Sequence, residues 1–326
     1  MGRAIFIVAM LVVASLGVIY LLGPTTPTEA TVAFRDRDIG TDPAAYLAER
    51  EAAIPNIRPG LAKEIVWDDP VTKAKTPLSV VYIHGFSASK GEVRPLPDKV
   101  ADALGANLFF TRLAGHGADE AAMGRATLDE WADDTAEALA IGRAIGEKVI
   151  LIGTSTGGSL AAWALTQSDL ARDVAAAVLI SPNFGVQAGG AGLLTGPWGQ
   201  TLAEFIVGKE RGFEPATDLQ RRYWTYRYPT KATLPMAAAV ALARRQAYDR
   251  VMVPALFVYS DEDKVIKPSE VKAVAAAWGG PCELIPVSDP GDPSSHVLAG
   301  DAYSPRMTDP LAARIVGWLA SLRVTP

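Results

Sequence analysis

Val149-Ile-Leu-Ile152 runs directly into Gly153-Thr-Ser155-Thr-Gly157, and Ser159-Leu-Ala-Ala-Trp-Ala-Leu165 follows. The apolar run reads as a buried strand and the segment after it as a helix. Between them, G-x-S-x-G is the sharp turn that lifts a serine hydroxyl above the end of a strand. The flanking glycines leave room for neighbouring backbone to pass close. Alone the pentapeptide is weak evidence, because small residues crowd such turns for steric reasons and the chain has 29 glycines. A serine nucleophile needs a base, and the base needs an acid to orient it. The reading therefore turns on what lies downstream of Ser155.

Of the three histidines, at 84, 116 and 296, only His296 follows the serine. It lies in the loop-like Ser288-Asp-Pro-Gly-Asp-Pro-Ser-Ser-His296, after the strand-like Leu284-Ile-Pro-Val287 and before a helix expected over Pro310 to Leu322. Ala255-Leu-Phe-Val-Tyr259 reads as an earlier strand and runs into Ser260-Asp261-Glu262-Asp263. Three carboxylates there compete for the acid role, each with the ordinary alternative of a solvated loop charge. Upstream, Ser79-Val-Val-Tyr-Ile83 ends in His84-Gly85-Phe86-Ser87, where a glycine lets backbone N–H groups turn inward. Ala175-Ala-Ala-Val-Leu-Ile-Ser181 supplies a further strand, and Lys63-Glu-Ile-Val-Trp67 an early edge strand without an upstream partner.

Four features agree: His84-Gly85, Leu113-Ala-Gly-His116-Gly117, the serine turn, and the Asp263/His296 pair. Over residues 60 to 324 the chain resembles the α/β-hydrolase superfamily, in its carboxylesterase, monoacylglycerol-lipase-like and serine-aminopeptidase-like branch. The resemblance implies an α/β-hydrolase fold, a mostly parallel central sheet flanked by helices with an inserted helical cap. The unpartnered edge strand suggests a sheet one strand short of the full eight. Apolar positions two and three residues after the acid are typical of the family's acid loop. Val265 and Ile266 therefore favour Asp263, with Asp261 left open and Glu262 disfavoured by the direction of its side chain. The implied catalytic set is Ser155, Asp263 and His296, and the implied oxyanion donors are the backbone amides of Phe86 and Thr156. His84 and His116 are then structural. The implied chemistry is acyl transfer to Ser155 followed by hydrolysis, with no metal and no organic cofactor. No zinc-protease motif, His/Cys cluster or Walker-type glycine loop speaks for another chemistry.

Residues 184 to about 248 separate two core strands, and an unstructured loop of that length is unusual. By resemblance this segment is a lid, and Tyr223, Trp224 and Tyr226 are its candidate substrate-pocket residues, with cap-to-core packing as the alternative. Tyr228 belongs to the same aromatic cluster, and Trp131 is expected to pack the preceding helix. Glu92, just beyond the oxyanion loop, is expected to cap the next helix, with a substrate amine or hydroxyl as the alternative partner.

Hydrophobic residues make up 49% and charged residues 21% of 326 positions, which suits one large α/β core. The net charge of −5 gives no basic footprint for nucleic acid. Cys282 is the single cysteine, so an internal disulfide is excluded, and a buried packing role is expected.

From Ala4 to Gly23 there are 20 residues without a charge, long enough at about 1.5 Å per residue to span a hydrocarbon core of roughly 30 Å. The run exceeds a typical cleavable signal, and Thr28-Glu-Ala30 is a poor cleavage site. The expectation is a single N-terminal membrane anchor with Arg3 on the cytoplasmic side and the catalytic domain outside; a cleaved signal with secreted or periplasmic enzyme is the alternative. Pro24 and Pro27 mark a stiff linker, and Asp42-Pro43 opens a helix through about Ala53. The expected organisation is an anchor and linker over 1–30, a lead segment over 31–60, a hydrolase core over 61–183 and 249–326, and a cap over 184–248. The expected function is hydrolysis of carboxylic esters as small-molecule substrates. An aminopeptidase-like amide hydrolase and an inactive hydrolase-fold binding protein are the alternatives.

Overall fold

The computed structural model describes residues 2–324, with the side chain of Ala4 outside what is described. The expected limits at Met1 and Pro326 therefore lie outside the described residues. Nine strands follow in chain order: β1 (Glu64–Val66), β2 (Thr76–Ile83), β3 (Asn107–Phe110), β4 (Gly146–Thr154), β5 (Val174–Ile180), β6 (Glu210–Gly212), β7 (Arg227–Pro229), β8 (Ala255–Tyr259) and β9 (Cys282–Pro286). Seven form one sheet in the order β1-β3-β2-β4-β5-β8-β9, parallel throughout except for β1, which pairs antiparallel with β3 at the edge.

The sheet is buried on both faces, so its central strands are apolar without alternation. Side chains still alternate between two cores. Val81, Ile83, Val149 and Leu151 enter one core; Val80, Tyr82, Ile150 and Ile152 enter the other. Helices Leu128–Ile145 and Thr156–Leu165 cover the first face, and helices Leu96–Leu104 and Pro305–Ser321 cover the second. The last helix begins at Pro305, earlier than the expected Pro310, because Pro305 suits the first helical position; Pro310 lies inside the helix, where it gives up one backbone hydrogen bond. Cys282 is exposed, a correction to its expected burial: it opens β9, the edge of the sheet.

The lead segment is tied to the body by its backbone. The amide of Thr31 donates to Asp129, and those of Ala33 and Phe34 donate to Asp133. Asp42 caps helix Pro43–Ala52 through the amides of Ala44 and Ala45. Lys63, almost fully buried, pairs with Asp134 at 2.9 Å and with Glu137.

The stretch between β5 and β8 mixes helices with a two-stranded β6-β7 sheet, where helices alone were expected. Its last helix, Thr233–Arg244, buries Ala238, Ala239, Leu242 and Ala243 in the first core. Helix Gly199–Val207 leaves Phe205 and Ile206 exposed, at 87% and 68%.

The apolar N-terminal segment forms helix Gly2–Leu21, with Ile5, Phe6, Leu11 and Leu16 exposed. The membrane span expected from the sequence does not follow from this. Among the described residues no helix is long and apolar enough to cross a membrane. The base of this helix is held by Trp198, whose Nε1 donates to the Ile19 carbonyl at 3.1 Å.

Candidate active site

Ser155 sits between β4 and helix Thr156–Leu165 with φ +52° and ψ −118°. That backbone conformation costs a non-glycine residue roughly 1–3 kcal/mol and persists only where the surroundings impose it. Here they do. A Cβ on Gly157 would lie 2.2 Å from the Ile83 carbonyl oxygen, and one on Gly153 would lie 2.6 Å from the Gly157 carbonyl oxygen. Helix start, β2 and β4 therefore approach at distances only glycine permits, and the Ser155 side chain is left facing a cavity of about 280 Å³.

His296 Nε2 lies 3.0 Å from Ser155 Oγ, and His296 Nδ1 lies 2.7 Å from Asp263 Oδ2. The short contact to a carboxylate places the proton of neutral His296 on Nδ1, which leaves Nε2 to accept from the serine. Asp263 is buried after β8, and its Oδ1 accepts from the amides of Val265 and Ile266 at 2.8 and 2.9 Å. Of the three acids left open by the sequence, Asp263 alone reaches His296. Asp261 points outward to Lys272 at 2.6 Å, and Glu262 is exposed.

Burial pulls the pKa of His296 down, but the hydrogen bond and charge of Asp263, with the charges of Glu92 and Asp292, outweigh it and hold the imidazole above its ordinary value. Asp292 is a site residue the sequence reading missed. Its carboxylate accepts from the amides of Ser294, His296 and Val297 and so fixes the loop that carries the histidine. The signal was present as Asp292-Pro-Ser, the pattern of a side chain that bonds its own backbone two residues on. Ser181 completes the support by donating to the His296 carbonyl at 2.7 Å.

The other two histidines are staples. His84 Nδ1 donates to the Gly85 carbonyl while Nε2 accepts from the Leu113 amide. His116 Nδ1 donates to the Ala114 carbonyl while Nε2 accepts from the Ser87 amide. Both are neutral, since burial pushes His84 down to about 4 and His116 well below its ordinary value. Their bonds hold the loop after β2, in which the Phe86 amide donates to no protein acceptor among the described residues. The same is true of the Thr156 amide. Two unpaired N–H groups thus flank the serine, one on each side of the turn.

Trp224 is buried and lines the cavity. Tyr223 and Tyr226 do not line it, a correction to their expected place. Tyr223 packs against Gly91, where an added Cβ would meet its ring at 2.1 Å, and the Arg221 guanidinium lies over the Tyr226 ring. Tyr228 meets the edge of Phe86 at 5.2 Å, and Trp131 donates to the Ala114 carbonyl. Glu92 does not cap helix Leu96–Leu104, which has no side-chain cap. It is buried against the cavity, where its Oε2 accepts from the Gly85 amide at 2.7 Å and from the Tyr82 hydroxyl at 2.8 Å. Burial raises its carboxyl to about 7 against the opposing effect of those two donors and of His296.

Residues 80–314 match the model of the alpha/beta hydrolase family. Over 208 residues the chain is 27% identical to a thermostable monoacylglycerol lipase of Bacillus sp. (strain H-257), covering 63% of this chain and 78% of that one. Among solved structures it is similar to a metagenome-derived lipolytic enzyme, at 22% identity and TM-score 0.65, over 82% of this chain and all of the other. It is also similar to a soluble variant of monoglyceride lipase from Saccharomyces cerevisiae, at 13% identity and TM-score 0.61, over 90% and 99% of the two chains. At these identities the structural likenesses speak for the fold alone.

Proposed function

The chain belongs to the alpha/beta hydrolase family, and from that premise we propose that it hydrolyses carboxylic esters through an acyl-enzyme on Ser155. One observation carries the proposal: Ser155 Oγ, His296 and Asp263 form an unbroken hydrogen-bonded line of 3.0 and 2.7 Å facing a cavity. His296 Nε2 takes the hydroxyl proton as Ser155 Oγ adds to the ester carbonyl carbon. The carbonyl oxygen becomes an oxyanion held by the Phe86 and Thr156 amides, a contribution of roughly 2.7–4 kcal/mol per donor. As the tetrahedral intermediate collapses, His296 returns the proton to the departing alcohol oxygen. Water then attacks the acyl-enzyme by the same steps and releases the acid, while Asp263 holds the imidazole in its tautomer throughout.

Val186, Phe213, Met236 and Val265 give the cavity an apolar wall that suits a small to medium acyl chain. The curated relative named as a thermostable monoacylglycerol lipase supports an ester over an amide. A panel of p-nitrophenyl esters from two to sixteen carbons is expected to give the highest kcat/KM among the short and middle members and no turnover with Ser155→Ala. Hydrolysis confined to aminoacyl amides contradicts the reading.

The stretch between β5 and β8 serves as the lid, pinned to the oxyanion loop where the Thr225 amide donates to the Ser87 carbonyl at 2.7 Å. Helix Gly2–Leu21 anchors the enzyme in a membrane, with the catalytic body on the extracytoplasmic side. Its exposed apolar side chains support contact with an apolar phase, as do Phe205 and Ile206, exposed on helix Gly199–Val207, and Arg3 at the short N-terminal end supports the side.

A further inference from the structure

Glu92 is a buried acid with one oxygen used and one free. Its Oε2 holds two donors, Gly85 and Tyr82, whereas its Oε1 has no hydrogen-bond partner among the described residues and faces the cavity. It also lies beside the nucleophile: a Cβ placed on Gly85 would stand 2.6 Å from Glu92 Oε1 and 3.0 Å from Ser155 Cβ. Tyr303 lines the same cavity, held edge-to-face against Trp224 at 5.4 Å, and its hydroxyl likewise has no protein partner among the described residues. Both atoms are open to the cavity and unengaged, so a ligand hydroxyl reaches them without displacing a protein partner, and a site built to bond a hydroxyl discriminates against a ligand that lacks one.

The side of the cavity these groups occupy follows from the chemistry. His296 returns its proton to the leaving oxygen, so the departing alcohol lies towards His296. Glu92 and Asp292 are the acids whose charges act on His296 besides its partner Asp263, and the same two act on Tyr303. Asp292 is saturated by the amides of its own loop and by the Ser294 hydroxyl, so of these three groups beside His296 it is Glu92 and Tyr303 that are free to bind. Burial, with those two charges, raises the Tyr303 phenol to about 12, so it stays a neutral donor.

We propose that Glu92 Oε1 and the Tyr303 hydroxyl form an alcohol-side subsite that hydrogen-bonds a free hydroxyl on the leaving group, selecting esters of polyhydric alcohols over simple alkyl esters. The inference rests on the ester-hydrolase reading and adds the residues that choose the alcohol. A hydroxyl fits both groups at once, donating to Glu92 and accepting from Tyr303. A quaternary ammonium could do neither.

The test compares three butyrates that share an acyl group, glyceryl monobutyrate, ethyl butyrate and butyrylcholine, on the full chain, on Glu92→Gln and on Tyr303→Phe. In Glu92→Gln the Gly85 and Tyr82 donors keep the amide oxygen, so the amide NH₂ replaces the free acceptor. The wild type is expected to favour the glyceryl ester over the ethyl ester. Measured at pH 8, above the value of about 7 to which burial raises the Glu92 carboxyl, that ratio of kcat/KM should fall about tenfold in Glu92→Gln, the size of one hydrogen bond to a charged group, and about fivefold in Tyr303→Phe. Tyr303→Phe leaves the bonds of the oxyanion loop intact, so it reports even if Glu92→Gln folds poorly. Hydrolysis of both esters at an unchanged ratio in the variants, or a wild-type preference for ethyl butyrate or butyrylcholine, overturns the subsite and leaves the esterase reading standing. A wild type that hydrolyses none of the three overturns that reading and the subsite with it.

Discussion

His296 works between opposed influences. Burial favours its neutral form, and Asp263, Glu92 and Asp292 favour its charged form and prevail. As the base it must be neutral, so raising its pKa moves the onset of activity to higher pH. The acidic limb of the kcat/KM profile is expected to have its midpoint above about 6.5, the ordinary histidine value. A midpoint below that value contradicts the electrostatic reading. The meeting of Ser155 and His296 is legible in the sequence because a turn motif and a solitary downstream histidine leave few alternatives. The choice between Asp261 and Asp263 is less so: two residues apart on one loop, they part only because two amides, at 265 and 266, draw Asp263 inward while Lys272 holds Asp261 outside. The place of Glu92 is not legible in the sequence, because its partners, Tyr82 and Gly85, come from β2 and the loop after it rather than from the helix that follows.

At the scale of elements, the serine turn depends on close approach of backbone. Gly157→Ala forces a Cβ against the Ile83 and His84 carbonyl oxygens, which no rotamer can relieve. It is expected to destabilise the fold by about 3 kcal/mol in urea melts, at the upper end of overpacking effects, and to lower turnover. Gly317→Ala, in helix Pro305–Ser321 with open space around it, is expected to be neutral or to stabilise by about 0.5–1 kcal/mol. Equal melts for the two variants contradict the packing argument. The core strands are legible because apolar runs bounded by turn residues have few other readings. The stretch between β5 and β8 is not, since β6 and β7 are three residues each and exposed enough to carry no pattern.

At the scale of the whole molecule, the N-terminal helix and the catalytic body are joined by few contacts. Trp198 holds the Ile19 carbonyl, Thr26 donates to the Leu194 carbonyl, and Arg245 meets Thr28 and Glu29 at the surface. From Thr31 onward the chain is tied by Asp129 and Asp133. Removing residues 1–30 is therefore expected to give active, monodisperse protein in buffer without detergent, whereas the full chain partitions into vesicles. An inactive truncated enzyme contradicts the division between N-terminal helix and catalytic body. The central claim, that Ser155 is a nucleophile activated by His296, is tested most directly by fluorophosphonate labelling with peptide mapping of the adduct. The expected result is a single adduct on Ser155, absent in Ser155→Ala and strongly slowed in His296→Ala. A folded wild type that hydrolyses esters yet carries the adduct elsewhere, or none, contradicts it.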